Sequence, residues 1–212
     1  MTKQERLEKE IKRTEEVRAF DKEFVDKYDL VCGIDEVGRG PLAGPVVTAA
    51  VILPKDCDIL YINDSKKLSE KKRKEVSEQI LEKAVAVGFG ISNEETIDKV
   101  NILNATKMAM REAVNNLNPK ANFALVDAVH IEDLGIEQAS FVKGDAKSMS
   151  IAAASIVAKV KRDEFMVEMD KKYPEYGFAS NKGYGTKAHM DAVREYGPCP
   201  IHRLTFLKFL NE

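Results

Sequence analysis

The sequence predicts an α/β protein in which a mixed sheet is covered by helices on both faces. Two patterns carry this reading: β-branched runs come early as a meander and later alternate with segments of helical period. A third observation bounds it. The 212 residues, 44% of them hydrophobic, supply a sizeable core, and no Ser/Gly-rich or Pro-rich linker divides them. One main body is expected over residues 28–212, ending in a C-terminal helical region, with residues 1–27 as an N-terminal helical extension.

Residues 1–27 carry alternating charges and sparse apolar positions (Leu7, Ile11, Phe20, Phe24), too few for a core of their own. Residues 30–34 and 46–53 are β-branched runs bounded by glycine and proline, which reads as two buried strands joined by a glycine-rich turn. Ser69 suits a helix N-cap ahead of Val76, Ile80, Ala84 and Val87, a pattern that merges into a strand at 87–91. A second helical pattern places Leu103, Met110, Val114 and Leu117 on one face and ends at Asn118-Pro119. Residues 123–126 and 138–142 are short extended runs suited to interior strands. The longest helix is expected over 145–172, where the core SIAAASIVAK has side chains small enough for close approach to a sheet and Tyr173-Pro174 closes the element. The glycine-rich loop NKGYGT, a helix over 187–196 and a short helix after Pro200 follow.

Composition narrows the function. The apolar run at 41–53 contains Thr48 and two prolines and falls short of the ~18 apolar residues of a membrane span. The charged N-terminus has no apolar core of a secretory signal, so a cytoplasmic protein without membrane contact is expected. Cys32, Cys57 and Cys199 lie far apart without a CxxC, which indicates neither a disulfide framework nor a zinc knuckle. The formal net charge of -2 gives no bulk attraction to nucleic acid, so a polyanion would need a local basic patch. Residues 64–83 (7 basic, 5 acidic) and 143–187 (9 basic, 6 acidic) are weak candidates, each equally readable as a solvated helix face.

The chemistry concentrates in GIDEVGRGP at 33–41, where Asp35 and Glu36 stand side by side at the end of an apolar strand. Neighbouring strand residues point to opposite faces, so both acids reach one site only if the chain bends after Asp35, as Gly38 and Gly40 permit. The glycines are spaced GxGxxxG and lead into a strand, which excludes a dinucleotide fingerprint, and no GxxxxGK[ST] occurs. Such a loop, with exposed amides and the Arg39 guanidinium, can bind phosphate or hydroxyl oxygens. Asp127 ends the run FALV, and Asp145 opens the long helix, where it could equally be a cap. If Asp35, Glu36, Asp127 and Asp145 converge, four oxygen donors make a hard site suited to Mg²⁺ or Mn²⁺ rather than zinc. Two ions about 3.5 to 4 Å apart could activate a water and stabilise a leaving oxygen at a phosphodiester.

Taken together, DEVGRGPLAGPVV, NDSKKL at 63–68, Val126-Asp127-Ala128, GDAKSMSIAAASIVAKVKRD, GYGT and HRLTF closely resemble bacterial ribonuclease HII, in register over residues 30–210. The resemblance implies a ribonuclease H-like fold, a mixed five-stranded sheet flanked by helices with C-terminal helices, and makes residues 28–212 the catalytic domain. It implies an endoribonuclease that cuts the RNA strand of RNA·DNA hybrids and cuts 5′ of single ribonucleotides in duplex DNA, leaving 3′-hydroxyl and 5′-phosphate ends in support of ribonucleotide excision repair. By this similarity Asp35, Glu36, Asp127 and Asp145 are the catalytic, metal-binding acids, with Mg²⁺ or Mn²⁺ as cofactor. Gly38, Arg39 and Gly40 correspond to a loop that senses the ribose 2′-hydroxyl. Tyr184 corresponds to a tyrosine that packs on the neighbouring deoxyribose. As an isolated residue it would more often be a loop anchor.

Lys66, Lys143, Lys147 and Ser148 are candidate phosphate contacts, each equally a surface residue, and His130, His189 and His202 have no spacing that singles out a base or ligand. The protein is expected to act as a monomer on RNA·DNA hybrids or on DNA duplexes containing ribonucleotides. Two alternatives stand beside this. A type III enzyme, which cleaves longer hybrids, typically carries an extra N-terminal substrate-binding domain, and the few residues before the first strand are too short for one. A catalytically silent nucleic-acid-binding module would bind without metal-dependent turnover.

Overall fold

In the computed structural model, residues 2–63, 65 and 68–210 are described. Lys66, with Asp64 and Lys67 of the same motif, lies outside the described residues. Helix α1 (Lys3–Tyr28) leads into the hairpin β1 (Val31–Val37) and β2 (Val46–Ile52), followed by α2 (Glu70–Lys83) and β3 (Ala86–Ser92). Then come α3 (Glu94–Val100), α4 (Ile102–Asn115), β4 (Phe123–Asp127), β5 (Glu137–Phe141), α5 (Met149–Lys172), α6 (Phe178–Asn181) and α7 (Lys187–Tyr196). The strands form one mixed sheet in the order β3-β2-β1-β4-β5: β1, β2 and β3 are antiparallel neighbours, while β4 runs parallel to β1 and to β5.

Alternation along the central strands builds two cores. Val47, Ala49 and Val51 of β2 face Val76 and Ile80 of α2 and the small apolar residues of α5. Cys32, Ile34, Ala50, Ile52, Ala124 and Val126 face Met110, Ala113 and Val114 of α4 on the other side. The expected close approach of α5 is explicit at Gly33, where an added Cβ would lie 2.0 Å from the Ser150 carbonyl carbon. Only glycine lets the start of α5 rest on β1. A third cluster, with Ala43, Met166, Tyr176, Phe178, Val193, Cys199, Ile201 and Leu207, joins the far half of α5 to α7 and the C-terminal tail.

Helix α1 buries its aromatic residues against β4 and the edge strand β5: the rings of Phe24 and Tyr28 stack on Phe123 at 5.6 and 4.1 Å, and Phe20 meets Phe141 edge-on at 5.1 Å. Asp21 reaches the start of α5, where its Oδ2 accepts the Ser150 N–H at 2.7 Å.

Several expectations are corrected. Strand β1 keeps its pairing to β2 through Glu36↔Thr48 and Val37↔Val47, so the chain turns after Val37 and not after Asp35. The long helix does not begin at Asp145: residues Gly144–Ala146 form a separate 3-10 turn, and Ser148 caps α5 by accepting the Ile151 N–H at 3.1 Å. Ser148 is thus a buried cap and not a surface phosphate contact. At 26 residues α1 exceeds the 24 of α5. Helix α3 was not expected, because its seven residues place only Ile97 in the core and a single buried position shows no period. Leu103 does not share the buried face of α4; it is exposed, and Ala105, Thr106 and Ala109 take that face with Met110. Among the described residues no helix is long and apolar enough to cross a membrane.

Candidate active site

The parallel pairing of β1 and β4 sets Ile34 opposite Val126, so the next residues, Asp35 and Asp127, stand side by side at the carboxyl ends of neighbouring strands. Asp35 is buried, at 7% exposure. Its Oδ1 accepts the Glu36 N–H at 2.8 Å, and the Ser155 hydroxyl of α5 donates to the same carboxylate. Ser155 is in turn 3.1 Å from the Ser65 hydroxyl. Asp127 Oδ1 accepts the Gly144 N–H at 2.6 Å, which ties the end of β4 to the 3-10 turn that carries Asp145. The half-buried Asp145 therefore sits on the turn that grips Asp127.

Glu36 leaves the sheet on the opposite side from Asp35 and turns to Arg39, whose Nη1 lies 3.3 Å from its Oε1. Its Oε2 is buried with no hydrogen-bond partner. Burial pushes the Asp35 carboxyl well above the usual carboxylate range, with the charges of Glu36 and Asp127 adding to it against the Ser155 hydrogen bond. Burial also raises Glu36, partly offset by Arg39. Acids held this way are short of positive charge. An orphaned carboxylate oxygen beside two more acids, with no sulfur or imidazole donor in the set, fits a hard divalent cation. Among the described residues no three His, Cys, Asp or Glu side chains are gathered into a ready-made cage.

Beside the acids, the loop at 38–45 hangs on two buried guanidiniums that the sequence did not single out for a role. Arg203 donates from Nη2 to the carbonyls of Gly38 (2.5 Å) and Gly44 (2.6 Å), from Nη1 to Arg39 (3.0 Å) and Pro41 (2.8 Å), and from Nε to Gly44 (2.9 Å). Arg162 of α5 donates to the carbonyls of Pro45 (3.0 Å), Ala43 (3.0 Å) and Lys182 (2.8 Å). Gly38 has φ 93°, and a Cβ there would lie 2.3 Å from Arg162 Nε, so the position requires glycine. Both arginines lie in motif segments, HRLTF and KVKRD, but arginine is so rarely buried that sequence alone gives no reason to place it inside.

Tyr184 stands next to this loop: a Cβ on Gly40 would be 3.8 Å from its Cε1, and Leu42 N–H donates to the Gly183 carbonyl at 2.8 Å. Its side chain is 43% exposed, so one flank of the ring is open. The structure thus brings Asp35, Glu36 and Asp127 together, links Asp145 to them through Gly144, and sets Gly38, Arg39, Gly40 and Tyr184 along one side. Lys143 and Lys147 are exposed near the 3-10 turn.

Acids at the ends of adjacent parallel strands in a mixed five-stranded sheet define a ribonuclease H-like hydrolase, and the solved structures that this chain resembles bear this out. Ribonuclease H2 from Pyrococcus horikoshii OT3 superposes with a TM-score of 0.71 at 26% identity, covering 85% of this chain and 96% of that one. The RNase HII of a PCNA:RNase HII complex from Archaeoglobus fulgidus gives 0.72 at 26% identity, covering 82% and 94%. Residues 32–209 match the family described as Ribonuclease HII. A ribonuclease HII from Acetivibrio thermocellus is 56% identical over 204 residues, which span 96% of this chain and 80% of that one. The chain belongs to the ribonuclease HII family, metal-dependent endoribonucleases that hydrolyse RNA in RNA·DNA hybrids.

Proposed function

We propose that this enzyme also cuts 5′ of a single ribonucleotide embedded in duplex DNA, serving ribonucleotide excision repair in the cytoplasm as a monomer. The observation that carries this reading is the loop at 38–45, whose carbonyls are turned onto Arg162 and Arg203 beside the paired acids. With those carbonyls turned inward, the amides of Gly38, Arg39 and Gly40 are the groups proposed to meet a 2′-hydroxyl, the group that separates RNA from DNA. Tyr184, beside Gly40, stacks on the following sugar and disfavours a second 2′-hydroxyl there. A lone ribonucleotide followed by DNA satisfies both.

Asp35, Glu36, Asp127 and Asp145 would hold Mg²⁺ or Mn²⁺, and the bound cations would activate a water and stabilise the leaving oxygen in two-metal hydrolysis. The chain's own residues prepare that site. Ser155 and the Glu36 amide orient Asp35, the Gly144 amide orients Asp127, and Arg39 steadies one oxygen of Glu36 while leaving the other for a ligand. Water attacks phosphorus and the P–O3′ bond breaks, so the water oxygen remains on a 5′-phosphate and the 3′ oxygen departs as a hydroxyl.

The test is cleavage of a labelled DNA duplex with one embedded ribonucleotide, beside an all-RNA·DNA hybrid, in Mg²⁺, Mn²⁺ or chelator. Cutting 5′ of the ribonucleotide is expected, lost with chelator and reduced by roughly 10³-fold or more in Asp127→Asn, a few kcal/mol of lost transition-state stabilisation. Cleavage of the long hybrid alone would favour a type III specificity. Full activity in Asp127→Asn would remove Asp127 from the chemistry.

A further inference from the structure

His189 of α7 and His202 of the C-terminal tail are both buried, and their Nε2 atoms face each other at 3.0 Å. Two ring nitrogens at that distance share one proton, so one must be bare. The surroundings decide which. His202 Nδ1 faces the Cys199 N–H at 3.0 Å, an obligatory donor, with the Cys199 thiol at 3.2 Å. The Cys199 carbonyl, 3.3 Å away, already accepts the backbone N–H of His202 at 2.9 Å. His202 Nδ1 is therefore bare, its proton sits on Nε2, and that proton is donated to His189 Nε2. His189 then carries its own proton on Nδ1, which lies 2.8 Å from the Tyr184 carbonyl.

The result is a one-directional chain from the Cys199 N–H through two neutral imidazoles to the backbone of Tyr184. That carbonyl also accepts the Thr186 N–H at 2.8 Å, within its own turn; His189 supplies the bond that reaches it from α7. Burial lowers both imidazoles, His202 to about 4, so neither carries charge near neutral pH. The pair rests on Tyr176 and Phe178, whose rings lie 4.9 and 5.7 Å from His202.

We infer that His189 and His202 are positioning residues for substrate selection: their fixed tautomers anchor the Tyr184 carbonyl and so hold its ring beside Gly40. This rests on the reading of Tyr184 given above. Side-chain amides separate the two bonds of His189, because an Asn amide nitrogen falls near the place of Nδ1 and a Gln amide near that of Nε2. His189→Gln keeps the link to His202 and loses the anchor on Tyr184, whereas His189→Asn keeps the anchor.

The readout is the ratio of kcat/KM for the single-ribonucleotide duplex to that for the RNA·DNA hybrid. One lost hydrogen bond predicts that His189→Gln lowers this ratio by about threefold to tenfold, with Asn restoring most of it. Tyr184→Ala runs beside them. If Tyr184→Ala shifts the ratio and His189→Gln does not, the positioning role is overturned. If Tyr184→Ala leaves the ratio unchanged, the Tyr184 reading itself fails and takes the selectivity role with it. Independently of folding in any variant, ¹⁵N shifts of the wild-type imidazoles should report a proton on Nδ1 of His189 and on Nε2 of His202. A proton on His189 Nε2, or a doubly protonated ring at neutral pH, would overturn the chain.

Discussion

Guanidinium groups seldom leave the surface, because removing their charge from water is costly unless every donor finds an acceptor. Arg203, fully buried, meets that demand with five hydrogen bonds to four backbone carbonyls of one loop. Burial and the charge of Arg162 push it down to about 9, which still leaves it cationic at neutral pH. A lysine has three donors on one atom and cannot span four carbonyls. Arg203→Lys should therefore cost roughly 3 kcal/mol and lower Tm by roughly 6–12 °C in thermal unfolding. An unchanged Tm would mean that the loop keeps its shape without the fork. At this scale the sequence was partly legible. Asp35, Glu36 and Asp127 stood out as carboxylates closing apolar strand runs, where α/β sheets build their sites, but Arg162, Arg203 and Ser155 did not, since their roles depend on elements far away in the chain. The orphaned Glu36 Oε2 is likewise a fact of three dimensions.

Elements showed more of themselves. The β-branched runs gave β1 and β2, because a strand buried on both faces writes its character into consecutive residues, as β2 does along its whole length; β5 was legible as an extended run but is the exposed edge of the sheet and not an interior strand. What the sequence concealed was where strands stop and turns begin: the pairing of Glu36 and Val37 to β2 leaves no local trace, and Asp145 in the 3-10 turn before α5 reads equally well as the cap of that helix. Helix α1, whose apolar residues are too few for a core of its own, packs its aromatics on β4 and β5 instead. The junction of α7 with the tail yields a prediction in pH. His189 and His202 are held below their ordinary range mainly by burial, while Tyr176 and Cys199, the titratable groups that face them, are raised by burial and stay neutral through this window. The unfolded chain takes up protons on these rings from about pH 6.5 downward, and the folded chain resists until about 4 for His202. Their contribution to stability is thus complete above pH 6.5 and lost as pH falls toward 4. In urea unfolding, the loss between pH 7 and pH 5 should be smaller in His202→Gln than in the wild type; equal losses would show that the pair is not its source.

For the molecule as a whole, the arrangement concentrates unbalanced negative charge at one end of the sheet, with Asp35, Glu36 and Asp127 acting on one another. A cation that relieves this repulsion binds the folded chain and not the unfolded one. Mn²⁺ at ten times its Kd should then add about 1.4 kcal/mol of stability, visible as a rise in Tm. Asp35→Asn should abolish most of the rise, and a rise that persists in that variant would place the ion elsewhere.

The grip of Arg203 on Gly44, across 159 residues of chain, also bears on the order in which the protein is made. Synthesis proceeds from the N-terminus at roughly 5–20 residues per second. By the time Asp145 has left the ribosome, β1, β4 and all four acids have emerged. The guanidinium that clamps the neighbouring loop is still untranslated, as is Tyr184. A nascent chain therefore carries the four candidate metal-binding acids before it carries the arginine that shapes the neighbouring loop or Tyr184, so on the roles proposed above the residues assigned to substrate choice are synthesised last.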